Sequence, residues 1–209
     1  MLPRSILAIA RIGFSLLTLV AIAYTLWTTS QAGRLDIVNF FSYFTILSNL
    51  LAVVSLVGGA LRGDRAPSRA WDLLRGQAVV MMTVTLVVYA LLLADVDVNL
   101  DDQWVNVTVH RLFPIVVIID WLIDPPVEPV SIRGSLVWLA FPLVWTGYTL
   151  VRGALVGWYP YPFLDPTEGG YGTVAAYIVG ILIFGAIVSA VVALAGTAMR
   201  RRRIVAAPA

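Results

Sequence analysis

The sequence predicts an all-α integral membrane protein: six transmembrane helices forming a single domain over residues 1–209. Hydrophobic residues make up 60% of the chain and charged residues only 12%, a composition typical of membrane proteins. Six apolar segments of about 20 residues or more can each cross ~30 Å of hydrocarbon as a helix. The alternating pattern of a membrane barrel is missing, which favours helices.

The predicted spans cover residues 6–29, 37–61, 73–94, 104–123, 134–153 and 172–198. The first apolar run follows Arg4 and so resembles a signal peptide. It is too long for one and contains Arg11, which favours an uncleaved first helix.

Arginine placement predicts that both termini lie in the cytoplasm. Ten arginines fall on the side of the termini and two on the other, and arginine is enriched in cytoplasmic loops. The ten are Arg4, Arg62, Arg65, Arg69, Arg75, Arg133, Arg200, Arg201, Arg202 and Arg203. The opposite side has Arg34, Arg152 and an acidic loop with Asp95, Asp97, Asp101 and Asp102. We interpret the basic loop LRGDRAPSRAWDLLRG as a topology determinant, with binding of anionic lipid as the alternative.

Composition also limits the chemistry. The chain has no cysteine and one histidine, which excludes a thiolate nucleophile and a multi-histidine metal site, so neither a metal nor a cofactor is expected. The net charge of +2 does not indicate a nucleic acid partner. All 14 basic residues are arginine, a hint of a GC-rich genome, and we expect a bacterial inner (plasma) membrane. Oligomeric state is not indicated.

The second span carries a polar stripe in the stretch FFSYFTILSNLLAVV. Helical spacing puts Ser42, Thr45, Ser48 and Asn49 on one face, with Tyr43 beside them. Serine and threonine in membrane helices often bond to the carbonyl four residues earlier, which is the structural alternative. The Asn49 amide needs partners from another helix or from water.

The fourth span supplies a partner for this stripe, because Gln103, Asn106 and His110 follow helical spacing. Thr45 lies roughly 12 Å along the second span and His110 roughly 9 Å along the fourth, both counted from the non-cytoplasmic side. The two side chains are therefore expected in one layer of the outer leaflet, where a hydroxyl can meet an imidazole.

This pair predicts acyl chemistry on a lipid. Apolar surroundings favour the neutral imidazole, which can accept the Thr45 proton during attack on a carbonyl and return it to the leaving group. Hydrogen-bond donors for the developing oxyanion are also available. The substrate-binding or oxyanion candidates are Ser42, Tyr43, Ser48, Asn49, Asn106, Tyr161 and Phe163.

Two further features have structural interpretations. Asp120 is about 15 Å beyond His110 along the helix, so Arg11, at comparable depth, is its expected ion-pair partner. The loop GWYPYPFLDP alternates aromatic residues with prolines; an interfacial aromatic belt and a fixed lid over Thr45 and His110 are both open.

Three motifs resemble the androgen-induced gene and FAR-17a type membrane proteins, including their bacterial six-transmembrane branch. They are YFTILSNLL, HRLFPIVVIIDWL and YPYPFLDP, which spread over most of the chain. Animal members are intramembrane threonine hydrolases of fatty acid esters of hydroxy fatty acids. The resemblance implies that Thr45 is the nucleophile and His110 the base.

Two alternatives belong to other classes. A lipid-binding or transport protein would use the polar face only to line a cavity. A structural subunit would use it for helix association, with Gly58, Gly59, Gly180 and Gly185 allowing close packing.

Overall fold

The computed structural model describes residues 3–63, 65, 68–94 and 102–205. Within these ranges the chain is helical without strands, and six helices are long and apolar enough to cross a membrane. The six spanning helices are α1 (Arg4–Gln31), α3 (Phe44–Leu61), α4 (Arg69–Leu93), α5 (Gln103–Ile123), α6 (Ile132–Val156) and α7 (Pro166–Val205). A short helix, α2 (Ile37–Ser42), precedes α3. The predicted fold class is confirmed. Of the predicted acidic loop, Asp95, Asp97 and Asp101 lie outside the described residues.

The prediction of one continuous helix over 37–61 is wrong. Tyr43 has an extended backbone (φ −66°, ψ 126°), which ends α2 and starts α3. The chain has neither proline nor glycine here, so the break depends on partners elsewhere in the fold. Trp145 Nε1 donates to the Ser42 carbonyl at 2.9 Å, and the N–H of Thr45 donates to Tyr161 Oη at 3.2 Å. Other parts of the fold therefore satisfy backbone groups that the break removes from helical bonding.

A second irregularity lies in α5, where Thr108–Leu112 form a π-helical turn around His110. In this register the N–H of residue 114 would bond to the carbonyl of Val109, but Pro114 has no N–H. Asn49 Nδ2 takes its place and donates to the Val109 carbonyl at 3.1 Å. This bond ties α3 to α5 one residue away from His110.

The aromatic loop, residues 157–165, folds back over the bundle. Gly157 ends α6 in the left-handed conformation (φ 68°), which glycine adopts without strain. Tyr159 then packs on Gly153, where a Cβ would lie 2.0 Å from the Tyr159 ring and would displace it. The loop consequently directs Tyr161 and Leu164 into the interior, where both are buried.

The core surrounds α4, which packs between α3, α5 and α7. Val80, Met81 and Met82 are fully buried in it, and Trp121 meets Trp138 edge to face at 6.3 Å. The outward faces of the helices carry large exposed apolar side chains, as contact with lipid requires.

Arg11 and Asp120 pair as the sequence predicts, with 2.6 Å between Arg11 Nε and Asp120 Oδ1. The network is larger than expected, because Arg11 also bonds to Asp124 at 2.7 Å and Arg75 to Asp120 at 3.2 Å. Arg75, which falls within both the basic loop segment and the predicted span 73–94, lies on α4 and is buried. With Arg203 on Asp124 at 3.0 Å, these charges connect four helices, α1, α4, α5 and α7.

Candidate active site

Thr45 and His110 are in hydrogen-bond contact, with 3.2 Å between Thr45 Oγ1 and His110 Nε2. Both side chains are buried, at 7% and 3% exposure. They come from α3 and α5, the two spans from which the sequence argument selected them. A hydroxyl and a ring nitrogen at this separation have the geometry of a nucleophile and its general base.

His110 is held on its other nitrogen and on its ring face. Asn106, one turn earlier on α5, lies with Oδ1 at 2.9 Å from His110 Nδ1. An amide oxygen accepts only, so this bond puts the proton on Nδ1 and leaves the Nε2 lone pair facing Thr45. Tyr89 stacks on the imidazole with ring centroids 4.1 Å apart and an angle of 17°. Asn106 was predicted as a substrate-binding or oxyanion candidate; the structure places its side-chain oxygen on His110 Nδ1, on the far side of the ring from Thr45.

Thr45 is the second residue of α3, so its N–H has no acceptor within the helix. The 18 residues of α3 are about 27 Å long and nearly cross the hydrocarbon without α2. Thr45 is therefore much closer to the end of its helix than the roughly 12 Å along the second span that the sequence predicted.

Tyr161 of the aromatic loop completes the immediate surroundings of Thr45. Its hydroxyl lies 3.3 Å from Thr45 Oγ1 and 3.2 Å from Thr45 N, and the residue is 6% exposed. Phe163 stacks on the Tyr161 ring at 5.3 Å and 9°. Burial raises the pKa of Tyr161 to about 12, so the phenol stays protonated over any ordinary range of pH. An interfacial belt does not account for this residue, because its ring points into the protein.

The remaining candidates on the stripe bond to main-chain carbonyls. Ser48 donates to the Thr45 carbonyl at 3.0 Å and contacts Thr85; Asn49 Nδ2 donates to the same carbonyl at 2.8 Å. The prediction that Ser42 shares a helix face with Thr45 is wrong, because Ser42 ends α2 and bonds to the Val38 carbonyl at 2.7 Å. Ser48 and Asn49 therefore stabilise the Thr45 backbone, and none of the three side chains bonds to the Thr45 hydroxyl.

Two cavities meet at Thr45 and Tyr161. One, of about 70 Å³, is almost wholly apolar and runs between α3, α4, α6 and α7, with Val84, Phe163 and Ile178 among its walls. The other, of about 180 Å³, is bordered by His110 and Tyr43 and by a polar group, namely Thr25, Thr29, Arg34, Asp36 and Asn39. An ester bound across Thr45 would therefore have an apolar side and a polar side.

Sequence reasoning missed Tyr89 and Trp145. Tyr89 is the one aromatic residue in the predicted span 73–94, and this isolation was a usable signal. No sequence signal pointed to Trp145, because its bond to the Ser42 carbonyl depends on a helix break that the sequence does not predict.

Comparison of the chain with protein-family models, with curated proteins and with solved structures finds no match in any of the three.

Proposed function

We propose that this protein is an intramembrane ester hydrolase with Thr45 as nucleophile and His110 as general base. The observation that carries the proposal is the aligned set of three groups: Thr45 Oγ1 at 3.2 Å from His110 Nε2, and His110 Nδ1 at 2.9 Å from Asn106 Oδ1. Such a set supplies a base, a defined tautomer and a hydroxyl in one buried place.

In the proposed reaction, Nε2 takes the hydroxyl proton as Thr45 Oγ1 attacks the ester carbonyl carbon. The tetrahedral intermediate collapses, the bond to the alcohol oxygen breaks, and the imidazolium gives its proton to that oxygen. Water then attacks the acyl-threonine with neutral His110 as base, which releases the fatty acid and regenerates the Thr45 hydroxyl.

The proposed substrate is a fatty acyl ester dissolved in the bilayer. The apolar cavity beside Val84 and Ile178 suits the acyl chain, and the cavity bordered by Arg34 and Asn39 suits a more polar alcohol portion. Fatty acid esters of hydroxy fatty acids, which the resemblance to the FAR-17a type family implies, have this division. We propose membership of that family on the same three motifs.

We further propose that the protein lies in a bacterial inner membrane with both termini in the cytoplasm. Six spans put the termini on one side, and the arginine bias favours the cytoplasmic one. Thr45 then faces the outer leaflet.

Labelling with a lipophilic fluorophosphonate probe, combined with hydrolysis of a long-chain acyl ester, tests the proposal. Purified wild-type protein should be labelled and should hydrolyse the ester. Thr45→Ala and His110→Ala should each lose labelling and lower kcat at least about 10³-fold, as expected for residues that act as a unit. Thr83→Ala is the matched control, because the Thr83 hydroxyl bonds to the Val79 carbonyl away from the site.

Persistent labelling of the Thr45→Ala protein would contradict the nucleophile assignment. Folded wild-type protein that neither reacts nor hydrolyses, yet retains lipid through purification, would instead support a lipid-binding or transport protein.

A further inference from the structure

The Tyr161 hydroxyl occupies a particular position relative to the Thr45 nucleophile. It lies within hydrogen-bond distance of both the Oγ1 and the backbone nitrogen of Thr45, at 3.3 and 3.2 Å. It also borders both cavities, so any ester lying across Thr45 must contact it.

The Thr45 N–H is the second group directed at this position. After the break at Tyr43, α3 begins at Phe44, the residue before Thr45. Thr45 is therefore in the first turn of α3, where its N–H has no acceptor within the helix. A nucleophile's own N–H lies beside the bond that forms, so it is well placed to meet the oxygen of the attacked carbonyl.

We infer that the Thr45 N–H and the Tyr161 O–H form the oxyanion hole, which makes Tyr161 a catalytic residue. The inference rests on the proposed function and adds the groups that stabilise its transition state. In the free protein the Thr45 N–H donates to Tyr161 Oη. Because the Thr45 hydroxyl donates its proton to His110 Nε2, Thr45 Oγ1 is the acceptor in its contact with Tyr161, and the phenol is the donor.

On attack, the Oγ1–carbon bond forms and the carbonyl π electrons move to the substrate oxygen. The hydroxyl proton goes to His110 Nε2. The new oxyanion replaces Tyr161 Oη as the acceptor of the Thr45 N–H, the Tyr161 O–H donates to the same oxyanion in place of Thr45 Oγ1, and no covalent bond of Tyr161 changes. Donors already fixed before the reaction are the ones that lower the barrier most.

The surroundings keep Tyr161 suited to this task. Its ring packs against Phe163 at 5.3 Å and Trp145 at 6.0 Å, so the ring stays in place when the hydroxyl exchanges its hydrogen bonds to Thr45 for bonds to substrate. The donors of Ser48 and Asn49 already bond to the Thr45 carbonyl, which leaves them unsuited to the role.

The test compares Tyr161→Phe with wild type in hydrolysis of a long-chain acyl ester and in inhibition by an acyl trifluoromethyl ketone, which forms a tetrahedral adduct. Loss of one oxyanion donor should lower kcat by about 10²- to 10³-fold. We expect KM to change less than about threefold and affinity for the ketone to fall in parallel with kcat/KM. Tyr177→Phe is the control, since it removes the same hydroxyl from a ring 5.8 Å beyond Phe163.

Site-specific 3-fluorotyrosine at position 161 keeps the donor and should retain at least about a tenth of wild-type kcat, which separates loss of the donor from a folding defect. Unchanged or increased kcat in Tyr161→Phe overturns the inference, because the hydroxyl would then be a spacer that substrate displaces. An increase in KM with unchanged kcat also overturns the inference. Wild-type protein without Thr45-dependent hydrolysis refutes the proposed function itself, and the inference with it.

Discussion

The tautomer of His110 should depend on Asn106, and this dependence can be measured directly. Asn106→Ala removes the 2.9 Å bond to Nδ1 and leaves a buried N–H without its acceptor. A neutral hydrogen bond contributes ~1 kcal/mol and an unpaired buried donor costs ~1–3 kcal/mol. The Tyr89 stack holds the plane of the ring but does not choose its tautomer. A loss of ~2 kcal/mol corresponds to a decrease of about 30-fold in kcat.

The chain contains one histidine, so histidine labelled with ¹⁵N reports on His110 without resonance overlap. Wild-type protein near neutral pH should show a protonated Nδ1 and an unprotonated Nε2, and the variant should shift towards the other tautomer. Gln77→Ala, which removes an amide bonded to the Trp138 carbonyl, should change neither the spectrum nor kcat by more than about twofold. A wild-type spectrum with the proton on Nε2, or a variant with wild-type tautomer and rate, would refute the reasoning.

Three further outcomes are expected. Burial alone would raise the pKa of Asp124, but its arginine partners outweigh burial and hold the pKa below the ordinary 3.8. The ionised carboxylate therefore stabilises the folded protein above pH 3.8. This stability is lost as the pH falls through the lower pKa of the folded state. Thermal melting against pH should show this loss in wild type and a flatter acid limb in Asp124→Asn; equal curves would contradict it. Arg11→Met should lower the free energy of unfolding by ~3–5 kcal/mol, because it leaves the buried charge of Asp120 with fewer partners. The double variant Arg11→Met with Asp120→Leu should lower it less. Urea titration in mixed micelles measures both, and additive losses would argue against the pairing. Ile178→Trp should fill part of the apolar cavity and exclude about three methylenes of the substrate's acyl chain at ~0.8 kcal/mol each, which lowers kcat/KM roughly 50-fold for long acyl esters only. Val179→Trp, on the exposed face of the same helix, is the control. Equal losses for short and long esters would place the acyl chain elsewhere.

The sequence predicts the six spans and the meeting of Thr45 with His110 because both follow from local quantities. Span length and the 1.5 Å rise per residue give the approximate depth of a side chain wherever the helix is continuous. The Arg11 and Asp120 pair follows from the same count of depth. Helix direction and polar spacing selected Thr45 and His110. The depth of roughly 12 Å expected for Thr45 assumed a continuous helix over 37–61, but the break at Tyr43 makes Thr45 the second residue of α3.

The irregular backbone could not be predicted in the same way. The break at Tyr43 is stabilised by Trp145 from α6 and Tyr161 from the aromatic loop, both about a hundred residues away in sequence. The π-helical turn at His110 depends on Pro114, which is visible in the sequence, and on Asn49, which is on another helix. Such features arise from tertiary contacts that override local preference.

The hydroxyl of Thr45 differs from those of other threonines in the bundle. Thr18, Thr25, Thr83 and Thr108 all donate to the carbonyl four residues earlier, as threonine usually does in a membrane helix. Residue 41, four residues before Thr45, belongs to α2, so the break at Tyr43 separates the hydroxyl from a carbonyl that would otherwise accept its proton. One backbone irregularity thus directs the Thr45 hydroxyl to His110 and frees the Thr45 N–H for the proposed oxyanion hole. A continuous helix would have used both groups in ordinary helical hydrogen bonds.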